Sequence, residues 1–117
     1  MFSFFGSSAK RFTAADAVAM AARGEITLLD VREAGEIAAS GTARGGVHIP
    51  LAMVQLKANP QGPDHDKRLD PAKPVAVFCA VGGRAGQAAQ VLERLGYTAH
   101  NIGGFGDWLS AGGAVQR

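Results

Sequence analysis

Val75-Ala76-Val77-Phe78-Cys79-Ala80-Val81-Gly82-Gly83-Arg84-Ala85-Gly86-Gln87 sets an apolar run against a glycine turn and then a helix-forming stretch. Val75 to Phe78 has the length and β-branched character of a buried strand. Arg84 to Leu95 reads as a helix, with Ala88, Val91, Leu92 and Leu95 on one apolar stripe and Gly96 as its stop. Cys79, the one cysteine of the chain, falls between the two elements. Where a strand's carboxyl end meets a helix's amino end, a tight glycine curl turns amide hydrogens inward and the helix dipole adds positive potential. Both stabilise a thiolate over a thiol. A cysteine in a random place is a small buried hydrophobe; this setting points to a nucleophile instead.

Outward from this loop, the pattern alternates between strands and helices. Thr13-Ala14-Ala15-Asp16 resembles a capping box and starts a helix that runs to Ala22 and stops at Gly24. Ile26 to Val31 is a short, nearly continuous apolar run, as in a strand buried on both faces. Glu33 to Ala39 suits a short helix ending near Ser40-Gly41. Val47 to Pro50 suits a brief strand closed by proline. Leu51 to Leu56 suits one or two helical turns. Asn59 to Pro74, with five prolines and glycines, reads as an irregular surface loop. Thr98 to Ile102 is a further strand, and Gly103-Gly104 leads to a last helix holding Trp108 as its hydrophobic anchor. The expected fold class is α/β, with a mainly parallel central sheet of about five strands and helices on both faces.

The 117 residues suit one domain with a single core. Residues 1–12 read as a tail and 13–117 as the domain. Hydrophobic residues make up 47% and charged residues 19%, as in a globular protein rather than a disordered one. One cysteine cannot form an internal disulfide, so a reducing cytoplasm suits the chain. Twelve basic against ten acidic residues, scattered along the sequence, do not make a nucleic-acid footprint. No apolar stretch is long enough for a signal peptide or a membrane span. The phenylalanine-rich start, Met1 to Gly6, reads as a segment packing on the domain or a partner.

Arg84 has two open roles: binding an anionic substrate, or bracing the loop through its donors. Asp30 and Arg32, after the first strand, are read as structural partners bonding neighbouring turns, within reach of the site. His48 reads as a core or edge histidine. Asp64-His65-Asp66 is too local and too flexible for a metal site.

Four segments together resemble the rhodanese-like sulfurtransferase family. Cys79-x-x-Gly82-x-Arg84 is similar to its active-site loop. Leu28-Leu29-Asp30-Val31-Arg32-Glu33 is similar to its early Asp-Val-Arg motif, and Gly45-Gly46-Val47-His48-Ile49-Pro50 to its middle segment. Gly103-Gly104-Phe105-Gly106-Asp107-Trp108 with Gly112 is similar to its closing pattern. The resemblance implies a rhodanese-like three-layer fold and a reaction without cofactor or metal. Cys79 would take the outer sulfur of a donor such as thiosulfate, become a persulfide, and pass the sulfur to a thiol or cyanide-like acceptor. Ala80, Val81, Gly82, Gly83 and Arg84 would supply the amides around it. A protein donor or acceptor is an alternative, with the chain acting as a relay module. The family's phosphatase branch has one more residue between cysteine and arginine; four stand between Cys79 and Arg84, which favours sulfur over phosphate. The His-Ile-Pro that often stands before the glycine of the family's middle segment is replaced here by Thr42-Ala43-Arg44. Its frequent basic residue after the cysteine is Ala80, which implies a weaker positive field at the pocket mouth.

Overall fold

The computed structural model describes residues 12–117. In chain order the elements are α1 (Ala14–Ala22), β1 (Thr27–Asp30), α2 (Ala34–Ser40), β2 (Thr42–Ala43), β3 (Val47–His48), α3 (Leu51–Lys57), β4 (Val75–Cys79), α4 (Gly83–Arg94), β5 (Ala99–Gly104), α5 (Phe105–Ser110) and β6 (Val115–Gln116). The phenylalanines of the first six residues lie outside the described residues. Phe12, placed in the tail on sequence grounds, stacks on His100 with ring centroids 3.9 Å apart.

A parallel sheet of four strands, in the order β3-β1-β4-β5, forms the centre. β1 and β4 are its inner strands, and every residue of both is buried. This is why their sequences are apolar without alternating with polar positions. Alternation reappears in which face each residue covers. Leu29, Val75, Val77 and Cys79 join a core with Val54 by α3 and Ala85, Ala88 and Leu92 of α4. Leu28, Ala76 and Phe78 face Ala17 of α1 and Phe105 and Trp108 of α5. The sheet is therefore the middle layer of three.

The sheet falls one strand short of the expected number. The two remaining strands, β2 and β6, pair antiparallel with each other in a separate ribbon, Thr42 opposite Gln116 and Ala43 opposite Val115. Two residues each are too few to announce a strand, and the two partners lie far apart in the sequence. The 59–74 segment is irregular, as its prolines require, but it is not all surface. Leu69 is completely buried in the core. The Tyr97 hydroxyl donates to the Ala58 carbonyl at 2.7 Å, and His65 Nε2 donates to the Leu69 carbonyl at 2.9 Å, so the loop is fastened at its start and across its middle. Among the described residues no helix is long and apolar enough to cross a membrane.

Local signals explain the helix starts. Thr13 caps α1, accepting from the Asp16 amide at 3.1 Å while Asp16 accepts from the Thr13 amide at 2.9 Å. Gly24 follows with φ +69°, the left-handed geometry that favours glycine.

Candidate active site

Cys79 ends β4 at the carboxyl edge of the sheet, with Phe78 beside Asp30 of β1 and Cys79 beside Gly104 of β5. Its residue is 1% exposed, so the sulfur sits beneath the loop that follows. Gly82 has φ +107° and caps α4. That turn directs the Gly82 amide at the sulfur, 3.0 Å away, and the Ala85 amide reaches it at 3.4 Å. Burial pushes the thiol's pKa up, but the amides of Ala85, Gly82, Val81 and Arg84 outweigh it, and the net direction is downward. The sulfur is thus held where a negative charge is favoured.

The five loop residues singled out in the sequence divide by what they touch. Gly82 supplies an amide bond and the left-handed turn. Val81 and Arg84 contribute amides to the electrostatics of the sulfur. Ala80 and Gly83 make no hydrogen bond to Cys79 among the described residues. Gly83 lacks a positive φ, and a β-carbon there would meet open space, so the curl rests on Gly82 alone. Ala85, which the sequence reading passed over, is the second direct donor. It lies in the first turn of α4, where amides have no partner within the helix.

The Arg84 side chain is engaged by a carboxylate. Its Nη1 and Nη2 donate to Glu36 Oε1 and Oε2 at 2.6 and 2.9 Å. The paired guanidinium draws the Glu36 carboxyl down to about 2, helped by the Glu33 backbone, and Glu36 holds Arg84 further above its ordinary value. This pair ties the start of α4 to α2, the second of the two roles the sequence leaves open. Glu36 was missed because nothing in the spacing links it to a residue 48 positions away.

Asp30 and Arg32 make a separate cluster under α2. Arg32 Nη2 donates to Asp30 Oδ2 at 2.8 Å and to the Gly41 carbonyl at 2.9 Å, and Nη1 donates to Ser40 Oγ at 2.9 Å. The Thr42 hydroxyl donates to Asp30 Oδ2 at 2.7 Å, and the guanidinium lies 4.6 Å from the Phe105 ring centroid. Both side chains are 5% exposed or less. None of these bonds reaches residues 79–85; the pair fixes β1, α2 and β2, and through α2 the position of Glu36. His48 Nε2 donates to the Arg32 carbonyl at 2.7 Å, which extends that cluster to the edge strand.

β5 buttresses the loop from the other side. Its pairing with β4 slips between Val77 opposite Asn101 and Cys79 opposite Gly104, so β5 carries one extra residue, a bulge. Gly103 lies in it with φ +98°. Asn101 spans the junction, its Nδ2 donating to the Gly82 carbonyl at 2.9 Å and its Oδ1 accepting from the Gly103 amide at 2.8 Å. Gly104 lies so close that a β-carbon would collide with the Ala80 carbonyl. Asn101 had drawn no attention in the sequence, because a lone asparagine in a strand has no motif.

A buried cysteine cradled by amides, at the carboxyl edge of a parallel sheet with helices on both faces, defines a protein built to hold an anionic sulfur. Comparison with known proteins gives the class its family. A rhodanese-like domain matches residues 13–111, and the chain belongs to that family. It is 33% identical over 96 residues to the human thiosulfate:glutathione sulfurtransferase, covering 75% of this chain and 83% of that protein. It is 36% identical over 91 residues to the uncharacterised protein YqhL of Bacillus subtilis, covering 76% of this chain but only 63% of the relative's length. Among solved structures, a Rhodopseudomonas palustris protein of unknown function, named a possible tyrosine phosphatase, superposes with TM-score 0.80 at 32% identity, over 94% of this chain and 86% of that one. A rhodanese-related protein of Thermoplasma volcanium gives 0.72 at 30% identity, over 92% and 97%.

Proposed function

We propose that this protein is a sulfurtransferase that carries sulfane sulfur on Cys79. The observation that carries the reading is the pair of amides on Sγ, which favours a thiolate there as nucleophile and as leaving group. The Cys79 thiolate attacks the outer sulfur of thiosulfate. The new S–S bond leaves Cys79 as a persulfide anion, and the old S–S bond breaks to release sulfite with its electron pair. An acceptor thiolate then attacks the outer persulfide sulfur, takes it as a new persulfide, and returns Cys79 as thiolate. Each step conserves charge, and neither calls for a cofactor, metal or outside reductant. The amides of Gly82 and Ala85 hold the charge on Sγ while it is a thiolate, before attack and again when the sulfur leaves, and the Val81 and Arg84 amides lie nearby. Asp30 and Arg32 act as positioning residues through α2. A low-molecular-weight thiol such as glutathione is the proposed acceptor, in keeping with the relatives named for that reaction. A reducing cytoplasm, which keeps Cys79 free of disulfides, is the proposed location.

Intact-mass measurement tests it: incubation with thiosulfate should add one sulfur atom to the wild type and none to Cys79→Ser. An unmodified wild type with thiosulfate and with other sulfane donors would overturn it.

One observation favours a second reading. Val81, next to the uncharged Ala80, is 89% exposed at the loop crest. An apolar crest without a cation suits sulfur exchange with a protein partner better than capture of a free dianion. In that case persulfide forms with a protein donor while turnover with thiosulfate stays negligible. Phosphoryl transfer is not favoured: the arginine that would have to grip a phosphate is held bidentately by Glu36.

A further inference from the structure

The opposite edge of the sheet holds a second cavity, of about 260 Å³. It opens where β1 begins: Thr27 of β1 pairs with Val75, the first residue of β4, whereas Cys79 is the last. Four residue steps along β4 separate those two ends, about 13 Å. The floor is apolar, made by Ile26, Leu28 and Val47, and the rim carries Arg44, Arg68 and Lys73 with no carboxylate among the lining residues.

The rim cations differ in their state. Arg68 is already neutralised by Asp66, its Nε donating at 3.0 Å and its Nη2 at 2.7 Å. The Arg44 and Lys73 side chains make no hydrogen bond or ion pair with any described residue. Thr27 adds an independent sign. It is only 9% exposed, it lines the cavity, and its hydroxyl has no hydrogen-bond partner among the described residues. A buried hydroxyl is ordinarily satisfied, so one that lines a cavity without a protein partner is able to donate to an acceptor held there.

We propose that this cavity binds a compact phosphomonoester dianion. Two uncompensated cations match two negative charges, and guanidinium, ammonium and hydroxyl together offer donors for several phosphate oxygens. The apolar floor takes a small organic body. The volume falls just below the range of drug-sized pockets, ~300–1,000 Å³, which suits a small ligand. The site is separate from Cys79 and does not depend on the sulfur-transfer reading.

Because the Cys79 loop also attracts anions, the test must resolve the two sites. Phenyl phosphate is titrated into isotope-labelled full-length protein and the amide NMR spectrum followed. Saturable shifts are expected at Thr27, Arg44, Gly45 and Lys73. Arg44→Gln and Lys73→Gln should each weaken this binding about tenfold, as for a lost charge-assisted hydrogen bond. Thr27→Val should weaken it less, and persulfide formation at Cys79 should be unchanged in all three. Shifts confined to residues 80–85, equal affinity in the variants, or benzoate and phthalate binding as tightly as phenyl phosphate would each overturn the proposal.

Discussion

Cys79 concentrates two opposed effects: burial that resists ionisation and backbone donors that promote it. The donors prevail, so the rate of alkylation by iodoacetamide should rise with pH to a plateau whose midpoint lies below that of the same cysteine in the unfolded chain. A midpoint at or above that value would contradict the cradle. Arg84 and Glu36 offer a sharper residue-scale test. If Arg84 only braces, Arg84→Gln, Glu36→Gln and the double variant should lose sulfur-transfer rate by similar factors, the double no worse than either single. A much larger rise in KM for thiosulfate in Arg84→Gln than in Glu36→Gln would assign the guanidinium to the donor instead. The brace survives physiological pH. A carboxyl depressed to about 2 keeps its full contribution above the ordinary range near ~4.3 and loses it only as pH falls toward the lower value.

At the scale of elements, the loop is shaped as much by β5 as by its own sequence. The bulge brings Gly104 against the Ala80 carbonyl and sets Asn101 beneath the Gly82 turn. Gly104→Ala should therefore overpack the junction, costing about 1–3 kcal/mol and displacing the loop. Circular dichroism would show the fold retained while persulfide formation falls. Asn101→Ala removes two bonds at once. An expected loss of about 1–2 kcal/mol in urea unfolding, with slower sulfur transfer, would follow from the freed Gly82 carbonyl and Gly103 amide. The strand-turn-helix around Cys79 was legible because each piece has a local signature: an apolar run, a glycine, an amphipathic stripe. The bulge was not, since Gly103-Gly104 announces a turn or a flexible link equally well and only pairing with β4 turns it into a bulge.

Across the whole molecule, the Asp30–Arg32 cluster is where stability and site geometry meet. Asp30→Ala would leave the Arg32 guanidinium buried without its carboxylate, at a cost of about 3–5 kcal/mol. Chemical denaturation should show that loss directly; a change within 1 kcal/mol, roughly the worth of a surface pair, would mean the cluster is better solvated than its burial implies. By itself the sequence determined the alternation of strands and helices, a first strand buried on both faces, and the cysteine's place at a strand end before a glycine turn. These are short-range matters of apolar periodicity and backbone freedom. Only the tertiary structure decided that Arg84 closes on Glu36, that Ala85 rather than Gly83 serves the sulfur, that β2 and β6 pair apart from a four-stranded sheet, and that Leu69 enters the core from a proline-rich loop. Each of those depends on which distant segments the closed chain brings within hydrogen-bond or van der Waals range, and no local pattern encodes that distance.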